Sequence, residues 1–201
     1  MKDKELLRAI YSTSLRLGRS TLQDLEGELG ESALVVGEAV DRAVEDGFAV
    51  RAEGKDEVQL TEKGRANLKV VMIGGAFEII HPGHLHTMAE ARKLGDTLVA
   101  VVATDSSVLK NKGREPVTAQ DWRVRLVASI RSVDVALAGG KGSIYDTLER
   151  VRPDVVALGY DQKHNPAEIE DEARRRGITL RVVRLDSPIP GIKTSKIIQN
   201  I

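Results

Sequence analysis

Three of the chain's four histidines, His81, His84 and His86, lie within one stretch of six residues. An imidazole can donate a hydrogen bond to a phosphate oxygen, and it can exchange a proton near neutral pH. His81 and His84 are three residues apart, so they share one face of a helix if a helix begins there. The first turn of a helix also carries free N–H groups and the positive end of the helix dipole, which bind anions. This spacing therefore predicts a site for the phosphates of a nucleotide.

The residues around the histidines predict the elements that must position them: a strand, a glycine turn and a helix. Residues 68–73 form a short, β-branched apolar run, which is typical of a buried parallel strand. Gly75 allows the backbone to turn sharply and to approach a ligand. Pro82 suits the first helical position, because its missing N–H would be unpaired there anyway. We expect this helix to end with Gly95 as its C-terminal cap.

Three other kinds of site fit this stretch less well. A dinucleotide fingerprint requires G-x-G-x-x-G, which the stretch lacks, and a P-loop requires a lysine after Gly83, where none stands. A zinc site on the three histidines is disfavoured because the chain has no cysteine. In addition, His86 would point to a different face of the helix from the other two.

The stretch from Gly74 to His84 resembles the G-T-F-D-x-x-H-x-G-H signature of the cytidylyltransferase-like nucleotidyltransferases. Proteins of this family have a Rossmann-like α/β fold. They join a nucleoside triphosphate to a phosphate-bearing acceptor and release pyrophosphate. Two positions depart from the signature: Ala76 stands for the threonine and loses its hydroxyl, and Glu78 stands for the aspartate with a stem one methylene longer.

Three later segments extend the resemblance over roughly residues 68–201. Residues 110–116 resemble a K-G-R-x-P loop found in archaeal members, and residues 158–162 match the L-G-Y-D-Q of the archaeal FAD synthases of this family. Residues 191–198 resemble the closing I-S-T-T-x-I-I motif. Arg123 occupies the position of the arginine that begins a helix in the family.

The resemblance also implies which residues form the site. His81, His84 and Lys112 would be catalytic, because they would hold the phosphates and stabilise charge as pyrophosphate leaves. Contacts to the nucleotide are implied for the following positions: Gly75, Ala76, Phe77, Pro82, Gly83, Lys110, Arg123, Gly159, Asp161, Thr194 and Ser195.

The reaction implied by the resemblance is transfer of AMP from ATP to FMN, giving FAD and pyrophosphate. Mg²⁺ would share the charge of the phosphates. One alternative is a CTP-dependent cytidylyltransferase that acts on a polar headgroup phosphate. Another is a non-catalytic regulator, in which the α/β domain senses a nucleotide and the first domain binds DNA. The resemblance and the small size of each domain also lead us to expect a homodimer.

From residue 68 onward, strand and helix patterns alternate, which predicts a doubly wound parallel sheet in a domain spanning residues 68–201. Strands are expected at residues 68–73, 97–103, 133–138, 155–158 and 178–185. Helices are expected from Pro82 and at residues 120–130, 143–151, 168–176 and 195–200. Thr118 and Asp121 predict a capping box at the start of the helix that follows them. Ligands of such sheets bind at the carboxyl ends of the strands, where strand order reverses.

Residues 1–67 predict a separate small domain. Three helical patterns end near Leu17, Gly30 and Asp46, with Leu34 on the apolar side of the third, and strand patterns at residues 47–51 and 57–60 follow. This order resembles a winged helix-turn-helix domain. Residues 1–68 nevertheless contain 10 Lys and Arg against 14 Asp and Glu, a net charge of −4. Because DNA affinity depends on cations, we favour a structural, dimerising or partner-binding role over DNA reading.

The composition of the 201 residues suits a globular protein, with 41% hydrophobic and 30% charged residues. The formal net charge is zero, so bulk charge suggests neither a nucleic acid nor a membrane as partner. The N-terminus lacks the apolar core of a signal peptide. No apolar run approaches the roughly 20 residues needed to cross a bilayer. We therefore expect a soluble, cytoplasmic protein.

Overall fold

A computed structural model of the chain describes residues 3–52, 56–140, 144–186 and 194–199. The chain divides into two compact units, Met1–Lys69 and Val70–Ile201, so the boundary lies two residues beyond the predicted one. Within the described residues, no helix is both long enough and apolar enough to span a membrane.

The first unit consists of helices followed by a hairpin, in the order that the sequence predicts. Its elements are α1 (Asp3–Leu17), α2 (Leu22–Leu29), α3 (Ala33–Glu45), β1 (Ala49–Arg51), β2 (Val58–Leu60) and α4 (Glu62–Ala66). β1 and β2 pair in antiparallel fashion. Thr21 caps α2, and its hydroxyl accepts the N–H of Asp24 at 3.1 Å. The resemblance of this unit to a winged helix stays a prediction.

One residue that the sequence predicts on the apolar side of α3 is exposed instead. Leu34 lies in the first turn of α3 and is 72% exposed. The buried side of α3 is formed by Val36, Ala39, Val40 and Ala43, which follow helical spacing. Leu34 stands two residues before Val36, about 200° around the helix, so it points away from the core.

The second unit is a five-stranded parallel sheet with the order β5-β4-β3-β6-β7. Its strands are β3 (Val70–Gly75), β4 (Thr97–Val102), β5 (Val135–Ala138), β6 (Val155–Leu158) and β7 (Arg181–Arg184). The described helices between and after them are α5 (Pro82–Arg92), α6 (Asp105–Lys112), α7 (Gln120–Ala128), α8 (Ile144–Val151), α9 (Pro166–Arg175) and α10 (Thr194–Gln199). The predicted doubly wound α/β fold is confirmed.

The strand order places the switch point of the sheet between β3 and β6. The chain builds outward from β3 through β4 and β5, and then crosses to the other side of β3 to form β6 and β7. The carboxyl ends of β3 and β6 are therefore neighbours, with Ile73 paired to Ala157. Such a reversal leaves a crevice at the strand ends, since the two connections diverge there.

Two local predictions in the second unit are wrong, and one helix was not predicted. α5 ends at Arg92 with Lys93 as its cap in a right-handed conformation, so Gly95 is not the cap. α7 has Ala119 as its N-cap without a side-chain hydrogen bond, so Thr118 and Asp121 form no capping box. Residues 105–112 form α6 where no helix was expected; Thr104 caps its start and Gly113 ends it with a φ of 70°.

Gly64 shows where backbone packing in the first unit leaves no room for a side chain. A Cβ atom on this α4 residue would lie 1.9 Å from the carbonyl oxygen of Phe48. Because that neighbour is backbone, it cannot turn aside as a flexible side chain could. The contact fixes α4 against the strand that begins at Ala49.

We expect Gly64→Ala to lower the free energy of unfolding of the first unit by on the order of 1–3 kcal/mol, because the added methyl overpacks the contact with Phe48. Amide hydrogen exchange in α1 and α3 of the full chain measures this loss. Gly27→Ala is the matched control, since Gly27 lies in α2 and a Cβ there meets nothing within 4 Å. Alanine favours a helix by about 0.5–1 kcal/mol over glycine, so exchange should slow in the control. Equal exchange in the two variants would contradict this account.

Candidate active site

A cavity of about 780 Å³ opens at the switch point of the sheet. Its walls come from the ends of β3 and β6, the first turn of α5, the end of α6 and the start of α10. Most of the residues that the sequence singles out line it together: Gly75, Ala76, Phe77, His81, Gly83, His84, Lys112, Gly159, Asp161 and Thr194. The sheet thus gathers segments that lie far apart along the chain.

Three predicted nucleotide-binding residues lie outside the lining, and a fourth, Ser195, has a side chain outside the described residues. Pro82 occupies the first position of α5 and is exposed, but it does not line the cavity. Lys110 is exposed on α6, outside the lining. Arg123 is buried elsewhere, as described below. The side chain of Ser195 lies outside the described residues, although its backbone belongs to α10.

The two imidazoles of the predicted site stack on each other. His81 is the N-cap of α5 with an extended backbone, and its carbonyl accepts the N–H of His84 at 2.9 Å. The ring centroids lie 3.9 Å apart and the ring planes differ by 24°. Both rings therefore face the same cavity beside the free N–H groups at the start of a helix, which is the arrangement that binds anions.

Burial sets the protonation of this pair. Burial, together with the charge of neighbouring His81, lowers the pKa of His84 from 6.5 to about 4. Burial also lowers the pKa of His81, and the nearby carboxylate of Asp161 offsets part of that shift. His84 is accordingly neutral at pH 7 without a ligand. The Nδ1 atom of His81 is buried with no hydrogen-bond partner among the described residues.

Phe77 explains why a glycine stands at position 75. A Cβ atom on Gly75 would lie 2.7 Å from the Phe77 ring, which packs directly on that backbone. Phe77 has a left-handed backbone with a φ of 49°, which is uncommon for a residue with a side chain. Its ring meets the His84 ring edge to face, with 5.4 Å between centroids. Gly75 thus allows the aromatic ring to support the imidazole.

Arg123 lies outside the cavity lining, unlike the other predicted contacts that the cavity gathers. Its side chain is fully buried. Its guanidinium donates to the carbonyl oxygens of Ala76, Ala103 and Thr118 and to the carboxylate of Asp105. These bonds tie the loop after β3 to the loop after β4 and to the segment before α7. No donor is directed into the cavity, since Arg123 does not line it.

Glu78 holds two cations that line the cavity. Its carboxylate is fully buried and pairs with Lys112 and with Arg114, whose Nη1 lies 2.8 Å from Oε1. The N–H of Val117 also donates to it, at 3.4 Å. Burial raises the pKa of Glu78, but the hydrogen bonds and charges of Arg114 and Lys112 outweigh it, so the pKa lies below its ordinary value. Glu78 therefore stays ionised and fixes both cations.

Helix α6 determines how Lys112 reaches the site. The sequence suggests a basic loop at residues 110–116, whereas Lys112 lies in the last turn of α6. Its side chain is 35% exposed and lines the cavity. A threonine cap, polar first-turn residues and a glycine after the last turn are the sequence signals that could have revealed this helix.

Gln162 is a site residue that sequence reasoning missed. Its amide nitrogen donates to the carbonyl of Gly74 at 2.7 Å, and its amide oxygen accepts the N–H of Gly159 at 3.0 Å. Gln162 thereby links the ends of the two switch-point strands and lines the cavity. Arg184 supports the same turn by donating to the carbonyl of Gln162 at 2.7 Å. Gln162 belongs to the L-G-Y-D-Q segment that the sequence singles out, but that match does not indicate which backbone groups its side chain bonds.

The cavity offers few ligands for a metal by itself. Within the described parts of the chain, no cluster of three or more His, Cys, Asp or Glu side chains could hold an ion. Asp161 is the carboxylate among the described lining residues. Mg²⁺ is commonly bound through one or two carboxylates together with phosphate oxygens of the substrate. The lining therefore fits a cation that arrives with a triphosphate.

Comparison with known proteins identifies the family of the second unit. Residues 72–200 match the sequence model of the family described as cytidylyltransferase-like. A FAD synthase from Aciduliprofundum boonei is 50% identical over 135 residues, which is 65% of this chain and 89% of that protein. A FAD synthase from Thermococcus kodakarensis is 40% identical over 143 residues, 70% of this chain and 95% of that protein.

A solved structure shares the fold and much of the sequence. It is the crystal structure of a Thermoplasma volcanium protein named a lipopolysaccharide core biosynthesis protein. The two chains are 39% identical, with a TM-score of 0.58 over 61% of this chain and 99% of that one. Its name differs in kind from those of the sequence relatives, so the fold and the sequence match are the parts of this comparison that carry weight.

We expect Glu78→Gln to be less stable than the wild type at neutral pH by on the order of 1–3 kcal/mol, because two cations lose their buried carboxylate. The folded pKa of Glu78 lies below its ordinary value of 4.5, so its stabilisation is present above that pH and is lost as pH falls below it. The difference between variant and wild type should therefore shrink on acidification. Urea unfolding at a series of pH values measures it, with Glu115→Gln as control, since Glu115 is exposed and follows Arg114 in the segment after α6. A difference independent of pH would contradict the ion pairing.

Proposed function

Because the chain belongs to the cytidylyltransferase-like family, we propose that it transfers AMP from ATP to the phosphate of FMN, giving FAD and pyrophosphate. The observation that carries this proposal is the meeting of His81, His84 and Lys112 in one cavity at the switch point of the sheet. FAD synthases at 50% and 40% identity supply the choice of acceptor. The match of residues 158–162 to the archaeal FAD synthase sequence supports the same choice.

In the proposed reaction, a phosphate oxygen of the acceptor attacks the α-phosphorus of ATP. A new P–O bond forms there, and the bond from the α-phosphorus to the bridging oxygen of the β-phosphate breaks. The electron pair leaves on pyrophosphate. Reactions of this class depend mainly on positioning and charge neutralisation, so the protein needs donors and cations in place and no covalent nucleophile.

The imidazoles would serve as hydrogen-bond donors to the phosphates. His84 is neutral at pH 7 because burial lowers its pKa to about 4. The negative charge of a triphosphate favours the imidazolium form, so the pKa rises when the nucleotide binds. A proton taken up in this way stabilises the charge that develops on the departing pyrophosphate.

Lys112 and Arg114 would neutralise the remaining phosphate charge. Both line the cavity while Glu78 holds them from the protein side. A carboxylate that is fully buried behind two cations fixes their position without facing the substrate itself. The arrangement therefore presents positive charge to the triphosphate with little freedom to lose on binding.

We propose that Mg²⁺ accompanies the triphosphate into the cavity. Asp161 would hold it together with the phosphate oxygens, since Asp161 lines the cavity. The ion supplies charge neutralisation at the phosphates when bound.

For the first unit we propose dimerisation or binding of a protein partner, in preference to reading DNA. The exposed face of α3 carries Glu38, Asp41 and Glu45. Arg51, a cation of the hairpin, donates to Asp41 at 2.8 Å, so these two charges offset each other and Glu38 and Glu45 remain. Phosphate backbones are bound through cations that remain available, and this face has an acidic excess.

We expect His84→Ala to fold but to lose about 10²–10³-fold in kcat, because one donor to the phosphates is removed. Pyrophosphate release with ATP and FMN measures the loss, and CTP with glycerol phosphate or phosphoethanolamine tests the cytidylyltransferase alternative. His86→Ala is the matched control, since His86 lies two residues away on α5 and does not line the cavity. The proposed mechanism fails if His84→Ala turns over like the wild type. The proposed substrates are wrong if only the CTP reactions release pyrophosphate.

A further inference from the structure

Arg184 is the last residue of β7, a strand at the edge of the five-stranded sheet. In the register of the two strands it is paired with Leu158, the last residue of β6. Just beyond that pair, the N–H of Leu185 donates to the carbonyl of Leu158 at 2.8 Å. Arg184 is exposed and does not line the cavity at the switch point. The sheet therefore brings its side chain to the turn after β6 from outside the candidate site.

The guanidinium of Arg184 bonds to backbone carbonyls of this turn. Its Nη1 donates to the carbonyl oxygens of Gly159 at 3.1 Å and Gln162 at 2.7 Å. Its Nη2 donates to the carbonyl oxygen of His164 at 2.8 Å. A guanidinium presents its N–H groups in a rigid planar fork, and hydrogen bonds from a charged donor are stronger than those between neutral groups. One side chain thus fixes the backbone at positions 159, 162 and 164.

The turn is held from both strands that flank β6. On the β3 side, the Gln162 amide donates to the carbonyl of Gly74 at 2.7 Å. On the β7 side, Arg184 holds the carbonyls of Gly159 and Gln162. The N–H of Gln162 also donates to the carbonyl of Gly159 at 3.2 Å, which closes the turn on itself. The two residues between these fixed points, at positions 160 and 161, both line the cavity.

We propose that Arg184 is a positioning residue for the nucleotide, because it holds the turn that presents Tyr160 and Asp161 to the ligand. The proposal rests on the proposed function for the identity of that ligand as ATP. A turn that is already ordered loses little freedom when the ligand binds. Arg184 acts through the turn and does not reach the cavity that holds His81 and His84. Its loss should therefore weaken binding and leave the chemical step intact, which raises KM and not kcat.

Arg184→Lys and Arg184→Ala test the proposal by two different losses. Lysine keeps the charge but lacks the planar fork, whereas alanine removes both. Arg181→Ala is the matched control, since Arg181 begins the same strand, is exposed and does not line the cavity. We expect both Arg184 variants to raise the KM for ATP by about tenfold or more, as misplaced positioning groups do elsewhere. Their kcat and their KM for FMN should stay those of the control. Millimolar guanidinium ion should restore part of the ATP affinity of Arg184→Ala and leave the control unchanged.

Two further measurements need no turnover. Equilibrium dialysis of the full chain with labelled ATP measures the affinity directly, and we expect the same loss of about tenfold or more in both Arg184 variants. Amide hydrogen exchange reports on the turn itself. The N–H groups of Gly159 and Gln162 should exchange faster in Arg184→Ala than in the wild type, while those of β3 keep their wild-type rates.

The outcomes separate this proposal from the proposed function. If Arg184→Lys binds ATP as the wild type does, charge alone is sufficient and the proposal is wrong. A lower kcat, a raised KM for both substrates and a lower melting temperature, all together, would indicate a general structural role and overturn it as well. If the wild type binds ATP and the Arg184 variants bind it weakly, the positioning role stands even where no FAD forms. If the wild type binds no ATP, this proposal and the proposed function are both wrong.

Discussion

The buried guanidinium of Arg123 is the interaction on which the geometry of the candidate site depends. A fully buried cation is costly unless its donors are satisfied. Arg123 meets this demand with three backbone carbonyls and the carboxylate of Asp105. One of those carbonyls belongs to Ala76, at the turn that leads into Phe77 and Glu78. The buried side of the loop after β3 is thus fixed by Arg123, and the opposite side faces the cavity.

Glu78, in the same loop, fixes side chains that line the cavity. The turn held by Arg123 places the Glu78 carboxylate in ion pairs with Lys112 and Arg114, which lie in α6 and in the loop after it. Two charged clusters, one with a buried cation and one with a buried anion, therefore fix the loops after neighbouring strands. The departure from the family's aspartate is accommodated, because the longer stem still reaches both cations. The imidazole pair completes the site on the other side of the turn, where Gly75 lets the Phe77 ring support His84.

The sequence predicts a site residue well when neighbouring residues determine its position. It predicts a residue poorly when its partners lie far away along the chain. β6 at Val155–Leu158 coincides with its predicted range, because a short β-branched run between turns has few alternatives. His81 and His84 are recognised for a similar reason, since their placement depends on the local start of α5. Helix α6 is missed because only Val108 in it is buried and no apolar periodicity marks it. The burial of Arg123 is missed because its partner carbonyl at Ala76 lies 47 residues away. Sequence patterns report local conformation and burial, whereas the donors and acceptors of a buried charge are known only from the fold.

In the proposed reaction, this cavity directs an acceptor phosphate to the α-phosphorus of ATP. The most direct measurement is to incubate the protein with FMN and with ATP that carries a radioactive label at either the α- or the γ-phosphorus, and to separate the products. The account predicts that the α-label enters the flavin dinucleotide in amounts equal to the pyrophosphate released, and that the γ-label appears only in pyrophosphate. Transfer of the γ-label to the flavin, or pyrophosphate release without α-label in the flavin product, would contradict it.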